Sequence, residues 1–163
     1  MQFFPNYRIT LTCHLALEDA GSASLVGVLR LSPVLVSLDL GNTGIEDAGA
    51  SSLPRVLVQC TALTRLDLGG NNVRCRGAVS LAQVLVMCTT LECLNLENNR
   101  IADEGAQSFA RVLRQCPTLK RLYLEGNDFS AVGRRRLRAS EDWEGQVVGI
   151  DEEFGSWEET DSD

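Results

Sequence analysis

The sequence has little of what enzymes use for acid–base or metal chemistry. It contains a single histidine, His14, and no residue around it offers the partner that a catalytic base needs. Six cysteines are present, but no two of them form a CxxC pair of the kind that holds zinc. No catalytic residue, metal site or cofactor is therefore expected.

Long apolar runs are also missing. The best candidate, "LVGVLRLSPVLVSL", is interrupted by Arg30 and Pro33 and is shorter than the roughly 18 residues that a membrane-spanning helix needs. The opening "MQFFPNYRITLTC" lacks the basic and apolar regions of a signal peptide. We expect a cytoplasmic protein without a membrane span, and the nucleus is the alternative location.

Charge is distributed unevenly along the chain. Residues 141–163 contain ten carboxylates and no lysine or arginine, whereas the first 140 residues hold all 15 basic residues against 12 acidic ones. A mildly basic body is thus followed by a strongly acidic segment. The acidic-aromatic pattern predicts a partial cap with Val147, Val148 and Ile150, followed by a partly disordered binding tail.

Four segments align without a gap at a spacing of 28 residues, starting at Leu35, Leu63, Leu91 and Leu119. Each begins with "LxxLxL", in which alternation predicts a short strand with one leucine face. The following "GAxxLxxVL" has helical spacing. One such unit cannot cover its own apolar faces, but stacked units bury them together, which predicts a curved solenoid.

This pattern resembles the leucine-rich repeat family, and its 28-residue period is similar to the ribonuclease-inhibitor-like class. The resemblance implies an α/β right-handed solenoid of about five repeats, with a parallel sheet inside and helices outside. Residues 1–34 are expected to form a degenerate repeat or cap, 35–140 four repeats, and 141–163 the acidic cap and tail. In the degenerate unit, Ile9 and Leu11 would serve as strand residues through a slip of one position.

Several motifs have a structural explanation beside a chemical one. Asn71, Asn99 and Asn127 share one repeat column, where a buried amide satisfies backbone groups of the turn. The Gly69–Gly70 pair does not recur, and no phosphate-binding lysine follows it. Among the cysteines, Cys60, Cys88 and Cys116 share another column and are interpreted as buried thiols, whereas Cys93 is expected to be accessible on the concave face.

Two further stretches leave alternatives open. Pro54 falls inside a predicted helix and should kink or shorten it, with a local 3₁₀ turn expected. The basic run at 134–138 is a nucleic-acid or nuclear-import patch, a solvated last helix, or a docking face for the acidic segment. No nucleic-acid binding is expected, because the neighbouring carboxylates would repel it.

The resemblance places partner binding on the concave strand face. The predicted binding residues are Asp39, Arg65, Asp67, Glu92, Cys93, Asn95, Glu97, Arg121, Tyr123 and Glu125. Two functions remain open: a non-enzymatic scaffold, adaptor or sensor module that binds a protein partner, and a GTPase-activating protein similar to the Ran activator. Participation in a larger assembly is compatible with the first.

Overall fold

The computed structural model of the protein describes residues 9–12, 35–116, 118–139 and 146–148. Six parallel strands pair in chain order in one sheet: β1 (Ile9–Thr12), β2 (Leu35–Asp39), β3 (Arg65–Asp67), β4 (Cys93–Asn95), β5 (Arg121–Tyr123) and β6 (Gln146–Val148). The described helices are α1 (Asp47–Ser52), α2 (Pro54–Leu57), α3 (Cys75–Leu85), α4 (Asp103–Val112) and α5 (Ala131–Arg138), and a 3₁₀ turn at Leu113–Gln115 follows α4.

The repeat determines the register of the sheet. Ser37, Arg65, Cys93 and Arg121 are direct partners in successive strands, each 28 residues after the last. Each strand pairs with its neighbour in the sequence, and α1, α3, α4 and α5 pack against one another in the same order. The predicted α/β solenoid, with strands in one layer and helices in another, is confirmed.

Leucine columns fill the space between the sheet and the helices. All four members of each predicted column are buried: Leu35, Leu63, Leu91 and Leu119; Leu38, Leu66, Leu94 and Leu122; Leu40, Leu68, Leu96 and Leu124; and Ile45, Val73, Ile101 and Phe129. Helix residues such as Leu81 and Phe109 close this core from the other side. Each buried leucine stabilises the fold by roughly 1.5–3 kcal/mol relative to an exposed one.

The asparagine column has the structural role that its position predicts. Asn99 accepts a hydrogen bond from the Val73 N–H at 3.0 Å and donates to the carbonyls of Leu68 and Leu96 at 2.9 and 3.1 Å. Asn71 and Asn127 repeat this arrangement one turn before and one turn after. Each amide therefore joins two neighbouring repeats by satisfying backbone groups that have no sheet partner.

Pro54 divides the first helix as predicted, into α1 and α2. The expected 3₁₀ turn at this point is wrong, because the Leu57 N–H donates to the Leu53 carbonyl and the Val58 N–H to the Pro54 carbonyl, both with α-helical spacing. A proline removes only its own N–H, and its fixed φ is compatible with a first helical turn. Helix α2 therefore starts at Pro54 itself.

Beneath the 28-residue period lies an alternation between odd and even repeats. At one turn position the residues are Asn42, Gly70, Asn98 and Gly126, and all four have positive φ, from 51° to 67°. The asparagine of one repeat leans over the glycine of the next: a Cβ on Gly70 would lie 2.1 Å from Asn42 Oδ1, and one on Gly126 would lie 2.3 Å from Asn98 Oδ1. Glycine at 70 and 126 is thus required both by φ and by space.

A second column alternates in the same way. Asp47 Oδ1 accepts hydrogen bonds from the N–H groups of Arg74 and Gly77, both at 2.8 Å, and so caps the start of α3 from the neighbouring repeat. Asp103 does the same for α5: its Oδ1 accepts from the Ser130 N–H at 2.8 Å, and its other oxygen accepts from the Ser130 hydroxyl. The intervening column member is Cys75, which lacks a carboxylate.

Strand β1 shows a different register from the expected one. Leu11 lies opposite Leu38, with a shift between Ile9 and Thr10, whereas the predicted slip placed Ile9 opposite Leu38. The chain between β1 and β2 is thus one residue shorter than a full repeat rather than one longer. At the other edge, β6 extends the sheet beside β5, with Val147 opposite Leu122.

The remaining predictions for the two ends concern residues outside the described ranges. They include the degenerate repeat at 1–34, of which only β1 is described, and with it Cys13 and His14. They also include the acidic segment at 141–163, of which only β6 is described. Among the helices that the structure describes, none combines the length and apolar character that crossing a membrane requires.

Candidate functional site

The predicted binding residues occupy two parallel rows across the strand face. We call Asp39, Asp67 and Asn95 the carboxyl row, although its third member is an amide; Tyr123 continues it on β5. Two residues earlier on each strand lies the arginine row, which consists of Arg65, Cys93 and Arg121, with Ser37 at its β2 end. Since residues two apart on a strand point to the same face, both rows face the same side of the sheet.

The side chains of the carboxyl row are held in fixed orientations. Asp39 Oδ1 accepts from the Gly41 N–H at 3.0 Å, and Asp67 Oδ1 accepts from the Gly69 N–H at 2.8 Å. In the same way, Asn95 Oδ1 accepts from the Glu97 N–H at 2.9 Å. Its Nδ2 donates to Asp67 Oδ2 at 3.2 Å. The three side chains of the row are half-buried.

A polar depression of about 450 Å³ lies beside the carboxyl row. Its lining consists of Asp39, Gly41, Asn42, Asp67, Gly69, Gly70, Asn95, Glu97 and Asn98. A Cβ on Gly69 would come within 3.1 Å of Asn95 Nδ2 and 3.2 Å of Asp67 Oδ1. The glycine therefore leaves room for the polar side chains around it.

The arginine row differs from the expectation at its centre. Arg65 and Arg121 are exposed, but Cys93 between them is only 7% exposed. Cys93 lines a second depression, of about 310 Å³, together with Arg65 and Tyr123. Cys93 thus lies on the predicted face, but its predicted accessibility is wrong because the residue is buried.

The other predicted residues lie around these rows. Glu97 lies two residues after the end of β4, and Glu125 lies two residues after the end of β5. Glu125 is exposed. Glu92 precedes β4 and forms an ion pair with Lys120 at 3.0 Å, in which both side chains are largely exposed. Lys120 is not one of the predicted binding residues. Its position in the repeat indicates it, because Lys120 follows Leu119 just as Glu92 follows Leu91 one repeat earlier.

The cysteine column lies away from this face and is buried, as predicted. Burial raises the pKa of the Cys60 thiol, and it raises those of Cys88 and Cys116 to about 11, with a smaller contribution from the neighbouring thiol of the column. These thiols therefore remain protonated and serve as small apolar side chains. Within the described ranges, no three histidine, cysteine or acidic side chains converge as metal ligands would.

Comparison with known proteins places the repeat in a family. A model of the leucine-rich repeat matches residues 31–53, 59–82, 88–110 and 115–137, which together make up more than half of the chain. The chain belongs to the leucine-rich repeat family. This match counts four repeats; the fifth predicted unit is the one at 1–34. No curated protein matches the chain.

Solved structures share the fold at low sequence identity. The structure titled "Leiomodin-1 Actin-Binding Site 2 (ABS2)" aligns with a TM-score of 0.66 and 20% identity, over 83% of this chain and 80% of that one. The tropomodulin C-terminal domain of Caenorhabditis elegans aligns with a TM-score of 0.67 and 16% identity, over 84% and 83% of the two chains. At such identities the likeness concerns the fold.

Proposed function

We propose that this leucine-rich repeat protein is a non-enzymatic interaction module that binds a protein partner through its concave strand face. The observation that carries the proposal is the pair of rows described above. They place fixed carboxylate oxygens beside exposed guanidinium groups on one regular surface. A surface of this kind recognises an extended array of complementary charges rather than a small apolar ligand.

The carboxyl row supports the proposal through its rigidity. Asp39 and Asp67 each use one oxygen to hold a glycine N–H, so their orientation is established before a partner arrives. A side chain that is already ordered loses less conformational entropy when it binds. Basic groups of a partner are the complement that these carboxylates would select.

The arginine row supports the proposal through its residue types. Arginine and tyrosine are enriched at the energetic centres of protein interfaces, and Arg121 and Tyr123 lie two residues apart on one strand. Tyr123 is half-buried and lines the depression above Cys93. A partner that inserts a side chain there would contact the aromatic ring and Arg65.

The experiment is a pull-down followed by mass spectrometry, and then a binding titration with the partner that is found. Arg121→Glu combined with Tyr123→Ala should weaken that binding by at least about a hundredfold, as expected for two central interface residues. The matched control is Arg100→Glu with Met87→Ala, which makes the same kind of changes at exposed residues off the strand face. Equal affinity of the wild type and the strand-face variant would refute the proposed surface.

The alternative function, GTPase activation, has its own test. A single-turnover GTP hydrolysis assay with a small GTPase should show no acceleration by this chain. An acceleration would show that the chain is a GTPase activator and not an interaction module alone. Actin filaments are a further candidate partner to test by cosedimentation, because the leiomodin-1 structure that shares this fold is an actin-binding site. The same strand-face variant and its control apply to both assays.

A further inference from the structure

The two edges of the solenoid differ in charge. At one edge the strands end and the helices begin. This edge comprises residues 39–49, 67–77 and 95–105, which hold seven acidic residues and three arginines. At the other edge the helices end and the chain turns toward the next strand. That edge comprises residues 53–63, 81–91 and 109–119, which hold three arginines and no acidic residue. The helix-end edge therefore carries positive charge only.

Exposed apolar side chains lie at the same edge. Among the residues that the structure describes, four large hydrophobic side chains are exposed, and three of them are at helix ends: Val58 at 39%, Val86 at 37% and Met87 at 60%. Val58 and Val86 have equivalent positions in neighbouring repeats, and Met87 directly follows Val86. Single exposed apolar residues are common on protein surfaces, but these three are neighbours in stacked repeats and form one patch.

Two arginines flank this patch. Arg55 lies three residues before Val58, and Gln83 lies three residues before Val86, so each pair occupies one side of its helix. Arg111 has the equivalent position in the following repeat, and all three of these polar residues are exposed. Of the described residues, none forms an ion pair with Arg55 or Arg111. We call the following residues the helix-end surface: Arg55, Val58, Gln83, Val86, Met87 and Arg111. The remaining arginine of the edge, Arg114, donates to the Ala139 carbonyl and does not belong to this surface.

The composition of the helix-end surface indicates the chemistry of its partner. A guanidinium group pairs with a carboxylate through two parallel hydrogen bonds, and no carboxylate of this edge competes for the two arginines. The valine and methionine side chains gain from apolar contact, which the sugars and phosphates of a nucleic acid do not provide. Surfaces that bind membranes use tryptophan, tyrosine or phenylalanine, and the helix-end surface has none of them. An acidic segment with an apolar side matches both parts of the surface.

The spacing of the helices determines the length of such a segment. Helix α3 packs against α2 on one side and against α4 on the other. Packed helices lie about 8–10 Å apart, so Arg55 on α2 and Arg111 on α4 are separated by about 20 Å. A helix of about 13 residues spans this distance.

We propose that the helix-end surface binds an acidic amphipathic helix of a partner protein, which lies across α2, α3 and α4. Carboxylates near the two ends of this helix pair with Arg55 and Arg111, and its apolar side chains cover the patch between them. The helix-end surface and the strand face have no residue in common, so this partner leaves the strand face free for another one. The chain thereby connects two proteins.

A peptide selection tests the proposal without a known partner. The full-length protein is immobilised, and phage-displayed peptides of about 16 random residues, enough to span the surface as a helix, are selected on it. The enriched peptides should carry Asp or Glu toward both ends and apolar residues at helical spacing between them. A labelled synthetic copy of one enriched peptide then gives the dissociation constant by fluorescence anisotropy. Raising NaCl to about 1 M should weaken its binding.

Two variants remove the charged and the apolar part of the surface separately. Arg55→Glu with Arg111→Glu should weaken binding of the synthetic peptide by at least about tenfold, and so should Val58→Ser with Val86→Ser. Met87→Ser alone, at the most exposed residue of the patch, changes the fold least and should weaken binding several-fold. A peptide with lysine in place of its carboxylates should bind the double-glutamate variant and should not bind the wild type.

The matched control makes the same kinds of change at exposed residues outside the helix-end surface. It is Arg100→Glu with Val132→Ser, and it should leave the affinity for the peptide unchanged. The strand-face variant, Arg121→Glu with Tyr123→Ala, should also bind the peptide as the wild type does, because the two surfaces are separate. Melting curves by circular dichroism show that each variant is folded before its affinity is compared.

Three results would overturn the proposal. The first is a selection that enriches no acidic amphipathic peptide. The second is an enriched peptide that binds the arginine variant and the apolar variant as tightly as it binds the wild type. The third is sedimentation with vesicles of about 30% phosphatidylserine, or binding of an oligonucleotide, that the arginine variant abolishes and the peptide does not inhibit. That result would assign the surface to a membrane or to a nucleic acid.

Discussion

Two ladders of short polar side chains run through this solenoid, four residues apart in each repeat, and their environments are opposite. The buried ladder, Asn71 and Asn99 with the half-buried Asn127 at its end, satisfies turn backbone between repeats. The carboxyl row, Asp39, Asp67 and Asn95, holds one N–H of its own turn at each residue, and its side chains are half-buried. The same side-chain geometry thus joins repeats in one place and forms an accessible surface in the other, and burial decides which.

The largest expected effect comes from the buried ladder. Asn99→Leu leaves the Val73 N–H without an acceptor in a position that is 5% exposed, and it removes one of the two amide donors to each of the Leu68 and Leu96 carbonyls, so the free energy of unfolding should fall. We expect a loss of about 2–3 kcal/mol in urea unfolding followed by circular dichroism. Asn127→Leu, at a half-buried position where water replaces the amide, should lose clearly less; equal losses would contradict the role of burial.

The caps that link neighbouring helices should rank next. Asp47→Ala removes the acceptor for the Arg74 and Gly77 N–H groups, and we expect the unfolding free energy to drop by about 1 kcal/mol, as for other helix caps. Cys75→Ala, in the same column but without a carboxylate, serves as the control and should cost less. A cost for Cys75→Ala as large as that for Asp47→Ala would argue against capping across repeats.

The carboxyl row should contribute least to stability and most to binding. Asp39→Asn retains an oxygen for the Gly41 N–H, so the unfolding free energy should change by no more than about 0.5 kcal/mol. Affinity for a partner that presents basic groups should nevertheless fall several-fold, since the charge is removed. A large loss of stability together with unchanged affinity would reverse the assignment of the two ladders.

The helix cap formed by Asp103 can also be tested by titration of its carboxylate. Hydrogen bonds from the Ser130 hydroxyl and N–H lower the pKa of Asp103 below its ordinary value, and its slight desolvation opposes them only in part. The stabilising contribution is then fully present above the pKa of an aspartate in the unfolded chain and is lost as pH falls through the lowered pKa of the folded protein. Nuclear magnetic resonance titration should show the lowered pKa, and Ser130→Ala should move it upward; an unmoved pKa would contradict this cause.

How far the sequence alone reaches can be judged from particular residues. The burial of the apolar columns and the role of the asparagine ladder were predictable, because the 28-residue repeat places each of these side chains in the same environment in every repeat. The burial of Cys93 was not, since its neighbours Arg65 and Arg121 come to lie beside it only through strand pairing. The register of β1 was not predictable, because a shift between Ile9 and Thr10 interrupts the 28-residue spacing there.

The alternation of Asn42, Gly70, Asn98 and Gly126 has a consequence for how such a chain is lengthened or shortened. Removing one repeat would place Asn98 directly after Asn42, and its Cβ would occupy the space that the Asn42 side chain fills over Gly70. Removing two adjacent repeats would keep every asparagine beside a glycine. The heritable building block of this solenoid is therefore a pair of repeats, and duplications or deletions that respect the pair should fold with the least adjustment.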